Sequence, residues 1–288
     1  MPTHRRFHAF SRAALALVAI AACESNSSEP TSPGPASALP LEDGIALDLV
    51  NPGELLPFTP LPQSAACVSG GAGQQLLLPT GYVQTLIASE GPTYPDLADM
   101  MTVNETGANR GRFLYRTHEL TANGAVTVTD LVTGFTSILA QRADWERLDG
   151  LAWTPWGTII TAEEVTTSAV KDPSQPAAEG GHVYEINPLT GASQILPAVG
   201  ARSHEGLRFD KRGNLYGISE TDPGYIYRFE PAVRGNLTRG RLFALKIVAD
   251  LGDRTGWAEW VELDPVAALI NSITEAGAKG ATGYARPE

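Results

Sequence analysis

Cysteine is scarce in this sequence, which has only Cys23 and Cys67 among its 288 residues. Two cysteines allow at most one disulfide, so the chain has no disulfide framework. Histidine is also rare, with five residues, and neither an HExxH motif nor a Cys/His cluster is present. Zinc sites of the usual kinds are therefore not expected. The sequence also lacks a GxSxG nucleophile elbow and a Walker phosphate loop, which argues against the enzyme classes that depend on them.

Basic residues are in the minority. The chain has 21 Lys and Arg against 32 Asp and Glu, which gives a formal net charge of −11. Nucleic-acid binding needs a basic surface, so we expect no nucleic-acid partner. An acidic protein suits divalent cations, although solubility alone also accounts for acidic charge. With so few cysteines, stability must come from packing or from bound metal ions.

The amino terminus has the order of segments that is typical of a lipoprotein export signal. Three arginines precede or flank the apolar run AALALVAIAA, and residues 20–23, IAAC, match a lipobox. This run is too short to favour a membrane span; a buried N-terminal helix is the alternative. We predict that residues 1–22 are a signal peptide, that Cys23 is lipidated and that residues 23–45 are a flexible Ser/Pro-rich tether. The protein would then be exported, and held at the membrane through its lipid anchor only, in the periplasm or at the cell surface.

The remaining residues, 46–288, have the signals of an all-β protein. Eight short segments rich in β-branched and aromatic residues are predicted strands: YVQTLIAS, GRFLYRTHE, GAVTVTDLV, GTIITAEE, GHVYEINP, GNLYGISE, GYIYRFEP and RLFALKIVAD. Helical periodicity appears only in PVAALINSITEAG near the end. GLAWTPWGTIITAEE, residues 150–164, aligns without gaps on GLRFDKRGNLYGISE, residues 206–220. All-strand repeats of roughly 40–50 residues predict the blades of a β-propeller.

An acidic residue precedes both copies of this repeat, as Asp149 and Glu205. Acids at the same place in two blades would converge on the propeller axis and repel each other, unless a cation such as calcium lies between them. The sequence thus predicts an axial metal site. Alternatively, each acid is a turn residue that binds nearby backbone N–H groups. Glu163 and Glu164 are consecutive in a predicted strand, so at most one of them faces such a site.

Several of these runs together resemble the PhoX-type alkaline phosphatases and their relatives, which are exported β-propellers. The resemblance covers about residues 82–288 and rests on RTHE, DGLAWTPWGTIITAEE, GHVYEINP, SHEGLRFD, GYIYRFEP and ARPE. It implies a channel that holds calcium and iron ions and binds the phosphate of a monoester. The implied metal ligands are Asp149, Glu185, Glu205 and Glu288, with Glu119 and Glu164 as further candidates, and the implied phosphate-binding residue is Arg286.

The sequence departs from this family in two respects. Asp149 stands where the family's phosphatases have a cysteine ligand before TPWGT, and a hard oxygen in place of a thiolate favours calcium or magnesium over iron. The chain also ends within the RPE motif, so we expect a propeller that is truncated at the C-terminus and incomplete as a ring.

The expected function is the hydrolysis of small phosphate monoesters at a carboxylate-held metal cluster. Two alternatives stay open. One is a calcium-dependent lactonase or esterase, because propellers with axial calcium also support that chemistry. The other is a non-catalytic surface propeller in which calcium is structural and the loops bind a partner.

Overall fold

The computed structural model describes residues 85–88, 97–252 and 254–285. The predicted signal peptide, the lipidation site Cys23 and the predicted tether lie outside the described residues, and so do Arg286 and Glu288. Among the described residues, no helix is both long and apolar enough to cross a bilayer.

The described chain folds into three consecutive antiparallel sheets, in which each strand pairs with the next one along the sequence. The first sheet contains β1 (Ala98–Val103), β2 (Phe113–His118), β3 (Ala125–Asp130) and β4 (Thr136–Gln141). The second contains β5 (Leu148–Trp153), β6 (Ile159–Glu163), β7 (Val183–Ile186) and β8 (Ser193–Ile195). The third contains β9 (His204–Phe209), β10 (Leu215–Ser219), β11 (Ile226–Val233), β12 (Asn236–Gly252) and β13 (Thr255–Glu262). A 3-10 turn, Pro197–Val199, joins the second sheet to the third.

Successive meanders of four or five strands are the blades of a β-propeller, so the predicted all-β propeller fold is confirmed. A closed propeller ring has about four to eight blades, and the described residues supply three. The predicted helix near the end is also present, as α1 (Pro265–Ala278). It begins where the Asp264 side chain accepts hydrogen bonds from two backbone N–H groups of the first turn.

The repeat read from the sequence corresponds to one hairpin that occurs in both the second and the third blade. In each copy the turn glycine, Gly157 or Gly213, has a left-handed φ, of 91° and 87° respectively. Its N–H donates to the carbonyl three residues earlier, at 3.1 Å to Thr154 and 3.0 Å to Asp210. The gapless alignment therefore reflects equal backbone geometry.

The hydrophobic core lies between neighbouring blades, and the second blade has apolar residues on both faces. Every residue of β5 and β6 is buried. On one face Leu148, Leu151 and Ile159 pack with the first blade, and on the other Ile160 and Ala162 pack with the third. Burial on both faces explains why these strands read as apolar runs rather than as alternating patterns.

One predicted strand is wrong over the residues that the structure describes. Residues 85–88 of YVQTLIAS are not in a strand, and Leu86 and Ile87 are 79% and 50% exposed. Apolar, β-branched composition favours a strand only where a neighbouring strand can pair with it, and these described residues pair with none. The other seven predicted strands overlap β2, β3, β6, β7, β10, β11 and β12.

Candidate metal and phosphate site

Each of the three blades contributes two acids at matching positions. The first acid lies one residue into the first strand of the blade, and the second lies directly after the second strand. The pairs are Asp99 with Glu119, Asp149 with Glu164, and Glu205 with Glu220. The strand registers agree, because Ala98 faces His118, Leu148 faces Glu163 and His204 faces Ser219. We call these six residues the carboxylate group.

Backbone hydrogen bonds hold the carboxylate group in the same way in every blade. The residue before the first strand accepts a hydrogen bond from the N–H of the second acid. These bonds join Glu119 N to Leu97 O (2.9 Å), Glu164 N to Arg147 O (2.8 Å) and Glu220 N to Ser203 O (3.2 Å). The first strands β1, β5 and β9 lie side by side, and Thr117 Oγ1 ties the first blade to the second by donating to the Asp149 carbonyl at 3.0 Å. The six carboxylates are therefore positioned by sheet geometry rather than by loops.

The acids of the carboxylate group act on one another electrostatically. Asp149 is only 4% exposed, and burial, followed by the adjoining Glu205, raises its pKa to about 9. Burial, followed by Glu220, raises the pKa of Glu164 to about 8. The pKa of Asp99 is raised as well, first by burial and then by the charge of Glu119. Charged carboxylates at these positions are thus costly without a positive partner.

The donor set of the carboxylate group fits a hard cation. It consists of carboxylate oxygens with no thiolate or imidazole, and calcium takes six to eight oxygen ligands. Within the described part of the chain, Asp149 Oδ1 is buried and has no hydrogen-bond partner. In the same part, no three of the acids are already gathered as tightly as a formed metal site requires. The residues therefore suit metal ions, which would have to draw the carboxylates together.

A cavity of about 700 Å³ opens beside the carboxylate group and is lined in part by Glu164 and Glu220. Its wall also carries hydroxyl groups and one guanidinium, from Thr166, Thr167, Ser203, Thr221 and Arg147. Arg147 is the only Lys or Arg among the described lining residues. The same wall carries four carboxylates, from Glu146, Glu164, Glu220 and Asp222. It is therefore suited to cations, or to a small polar molecule whose negative charge bound cations and Arg147 would balance.

The structure brings together four of the metal ligands predicted from the sequence, Glu119, Asp149, Glu164 and Glu205. It does not bring Glu185 to them. The carboxylate of Glu185 accepts hydrogen bonds from Trp156 Nε1, at 2.7 Å, and from Thr158 Oγ1. Glu185 is paired with Ile160, four residues before Glu164, which is about 13 Å along a strand.

Glu163 and Glu164 face opposite ways, as their succession in a strand predicts. Glu163 is buried, and its carboxylate accepts hydrogen bonds of 2.9 Å from the backbone N–H groups of Glu146 and His182. Burial raises the pKa of Glu163 to about 8. Glu163 therefore joins two loops of the second blade, and Glu164 belongs to the carboxylate group. The alternative that these acids bind nearby backbone N–H groups holds in part for Glu205, whose Oε1 accepts a hydrogen bond from Gly206 N at 2.7 Å.

The sequence reasoning missed Asp99 and Glu220. Glu220 aligns with Glu164 in the repeat, so the signal for it was present. Asp99 was hidden because the first blade has a longer hairpin: its two acids are 119 − 99 = 20 residues apart, against 164 − 149 = 15 in the second blade. The extra five residues prevent a gapless alignment of the first blade with the other two.

His182 makes stability sensitive to acid. The His182 side chain is buried, and neither of its ring nitrogens has a hydrogen-bond partner among the described residues. Burial lowers the pKa of His182 from 6.5 to about 4. The folded state resists protonation of His182, whereas the unfolded state accepts the proton near pH 6.5. The free energy of unfolding is therefore undiminished above pH 6.5 and decreases as the pH falls toward 4. Between pH 7.5 and pH 5 we expect His182 to account for about 2 kcal/mol of lost free energy of unfolding.

Urea unfolding of the wild type and of His182→Leu at both pH values measures this contribution. The change in the free energy of unfolding between pH 7.5 and pH 5 should be about 2 kcal/mol smaller in the variant than in the wild type. An unchanged difference would mean that His182 is not buried in its neutral form.

Comparisons with known proteins add a family similarity to this geometry. The family model for the alkaline phosphatase PhoX matches residues 152–288, a range that includes Glu164, Glu205 and Glu220 but not Asp149. No curated protein matches the sequence. A solved structure, Pseudomonas fluorescens PhoX in complex with vanadate, a transition state analogue, is similar at 17% identity with a TM-score of 0.47. The match covers 67% of this chain and 56% of that one, so this chain spans little more than half of that protein. As the TPWGT, SHEG and RPE runs predicted, residues 152–288 of this chain are similar to the PhoX-type alkaline phosphatases.

Proposed function

We propose that this protein is a metal-dependent phosphatase that hydrolyses small phosphate monoesters at the carboxylate group. One observation carries the proposal: three blades each direct two acids to a common place beside a polar cavity. The family match over residues 152–288 supports phosphate monoesters as the substrate class.

Calcium is the cation that the carboxylate group suits best, and magnesium is the next. Six carboxylates with no thiolate offer little to iron, and Asp149 takes the position at which the resemblance implies a cysteine. Bound divalent cations would supply positive charge to the phosphoryl oxygens and polarise them. Asp149 and Glu205 would hold this charge on the first strands, and Glu119, Glu164 and Glu220 would hold it at the ends of the second strands. The family resemblance adds Glu288 as a proposed ligand.

The protein's own residues have three tasks in this proposal. The carboxylate group would hold the cations beside the cavity. The hydroxyls of Thr166, Thr167 and Ser203 offer donors and acceptors to a polar substrate. On the resemblance of the RPE segment, Arg286 binds phosphate oxygens, since a guanidinium matches them in pairs.

The proposed location follows from the amino terminus. Residues 1–22 would direct export, and Cys23 would carry the lipid that holds the protein at a membrane. The net charge of −11 supports small-molecule substrates rather than nucleic acid.

The test is hydrolysis of p-nitrophenyl phosphate by the purified full-length protein, with elemental analysis of bound metals. We expect bound calcium and an activity that a chelator abolishes and that added calcium restores. Parallel assays with p-nitrophenyl acetate and a lactone separate the competing functions. Ester or lactone cleavage without phosphatase activity would assign the site to that chemistry, and bound calcium without any hydrolysis would indicate a binding module.

A further inference from the structure

Arg147 occupies a position that recurs in all three blades. Its counterparts are Leu97 and Ser203, which likewise precede a first strand and accept the hydrogen bond from the second acid of their own blade. Among the three blades that the structure describes, only the second places a cation there. The counterparts of Arg147 are uncharged, so the packing at this position does not require a charge. The guanidinium of Arg147 therefore departs from the repeated pattern, at a point next to the carboxylate group.

The backbone of Arg147 is held between two blades. Its N–H donates to Leu120 O at 2.6 Å, and its carbonyl accepts from Glu164 N at 2.8 Å. Its φ of 46° is left-handed, a conformation that non-glycine residues rarely adopt and that surrounding structure must stabilise. These contacts direct the side chain from the junction of the first two blades to the cavity.

The side chain of Arg147 is only weakly engaged by its neighbours. Its nearest acid is Glu119, with 3.6 Å between Arg147 Nη1 and Glu119 Oε1, and the Arg147 side chain is 47% exposed. Charge-assisted hydrogen bonds are about 2.7–2.9 Å long, and exposed ion pairs of this kind stabilise by about 1 kcal/mol or less. The guanidinium therefore has donors to spare for a molecule that enters the cavity.

We propose that Arg147 binds the non-bridging oxygens of the substrate's phosphate group. This inference rests on the proposed phosphatase function. A phosphate dianion that approaches the carboxylate group is repelled by it except where metal ions or a guanidinium compensate. Arg147 supplies such a charge on the described wall of the cavity, and its planar fork matches two phosphate oxygens at once. A competing role, in which Arg147 only neutralises Glu119, makes no contribution to phosphate affinity.

The test compares Arg147→Gln and Arg147→Lys with Arg234→Gln. Arg234 is an exposed arginine whose side chain binds the Lys211 carbonyl, and it does not line the cavity. Gln and Lys are as compatible with the left-handed φ as Arg, so the substitutions add no backbone strain. For each calcium-loaded, full-length variant, calorimetry gives the Kd of inorganic phosphate, kinetics give KM and kcat for p-nitrophenyl phosphate, and elemental analysis gives the calcium content.

We expect Arg147→Gln to weaken inorganic phosphate binding and to raise KM by about 10- to 100-fold, with calcium content unchanged. Arg147→Lys should recover part of this loss, because it keeps the charge but not the fork. Arg234→Gln should match the wild type. A phosphate Kd within twofold of the wild type in Arg147→Gln, or a loss of calcium together with phosphate, would overturn the inference while leaving the phosphatase proposal intact. Failure of the wild type to bind or hydrolyse phosphate would overturn both.

Discussion

Replacing Asp149 with Asn should lower kcat/KM for phosphate monoesters by at least about 100-fold. Asp149 is the most deeply buried acid of the carboxylate group for which the structure shows a raised pKa, and its Oδ1 has no hydrogen-bond partner among the described residues. Changing residues that merely support metal ligands costs about 10- to 100-fold in metal affinity or activity, so loss of a ligand should cost at least the upper value. Steady-state kinetics with p-nitrophenyl phosphate, together with elemental analysis, measure the effect.

Asp264→Asn is the matched control, because it makes the same chemical change at the N-cap of α1, where Asn caps about as well as Asp. Its activity and metal content should equal those of the wild type. Glu185→Gln adds a second comparison, because Glu185 is a predicted ligand that the structure separates from the carboxylate group. Full activity and full metal content in Asp149→Asn would contradict the proposed site. If Glu185→Gln lost more activity and metal than Asp149→Asn, the metal centre would lie closer to β7 than we propose.

Removing divalent cations should destabilise the protein markedly. Six acids from three blades repel one another without a cation, and a cation that binds only the folded state adds about 2.7 kcal/mol at 100 times its Kd. For a protein of this size we expect the Tm to fall by about 5–11 °C in a calcium chelator. Thermal unfolding across a calcium titration measures the shift, and sodium chloride at matched ionic strength controls for general screening.

Variants of the carboxylate group give this prediction a sharper form. Without a cation, the raised pKa values of Asp149 and Glu164 keep both groups largely protonated at neutral pH, and this costs free energy of unfolding. Asp149→Asn and Glu164→Gln each replace such an acid with a neutral amide. Each should therefore raise the metal-free Tm and at the same time flatten the response to calcium. A response to calcium that equals the response to sodium, or that persists in the double variant, would show that the acids hold no specific cation.

The secondary structure was predictable in part, because the signals of seven of its thirteen described strands are local. Strand composition and turn residues predicted seven of the eight proposed strands over the described chain, and the periodicity of PVAALINSITEAG predicted α1. The failure at residues 85–88 has the opposite cause. A strand needs a hydrogen-bonding neighbour, and no pattern within YVQTLIAS records whether one is present.

The candidate site was predictable only where the repeat could be recognised. Asp149 and Glu205 follow from an alignment of two blades, and Glu220 follows from the same alignment at its other end. Asp99 requires the strand register of the first blade, because its longer hairpin shifts the second acid by five residues relative to the other blades. Glu185 shows the opposite outcome, because a motif implied a metal ligand there. The register of β7 instead places its side chain beside Trp156 and Thr158.

By itself, the sequence determined the fold class and the repeat, and it predicted the chemical type of the candidate site. These properties depend on strand composition, turn glycines and a supply of acids with few cysteines or histidines, all of which are local or compositional. Only the tertiary structure decided which acids meet, that Glu163 faces the interior while Glu164 faces the carboxylate group, and that Arg147 lines the cavity. Convergence depends on how blades pack side by side, and one-residue differences in strand register reverse the direction of every side chain. A linear pattern carries that information only where the blades repeat without insertions.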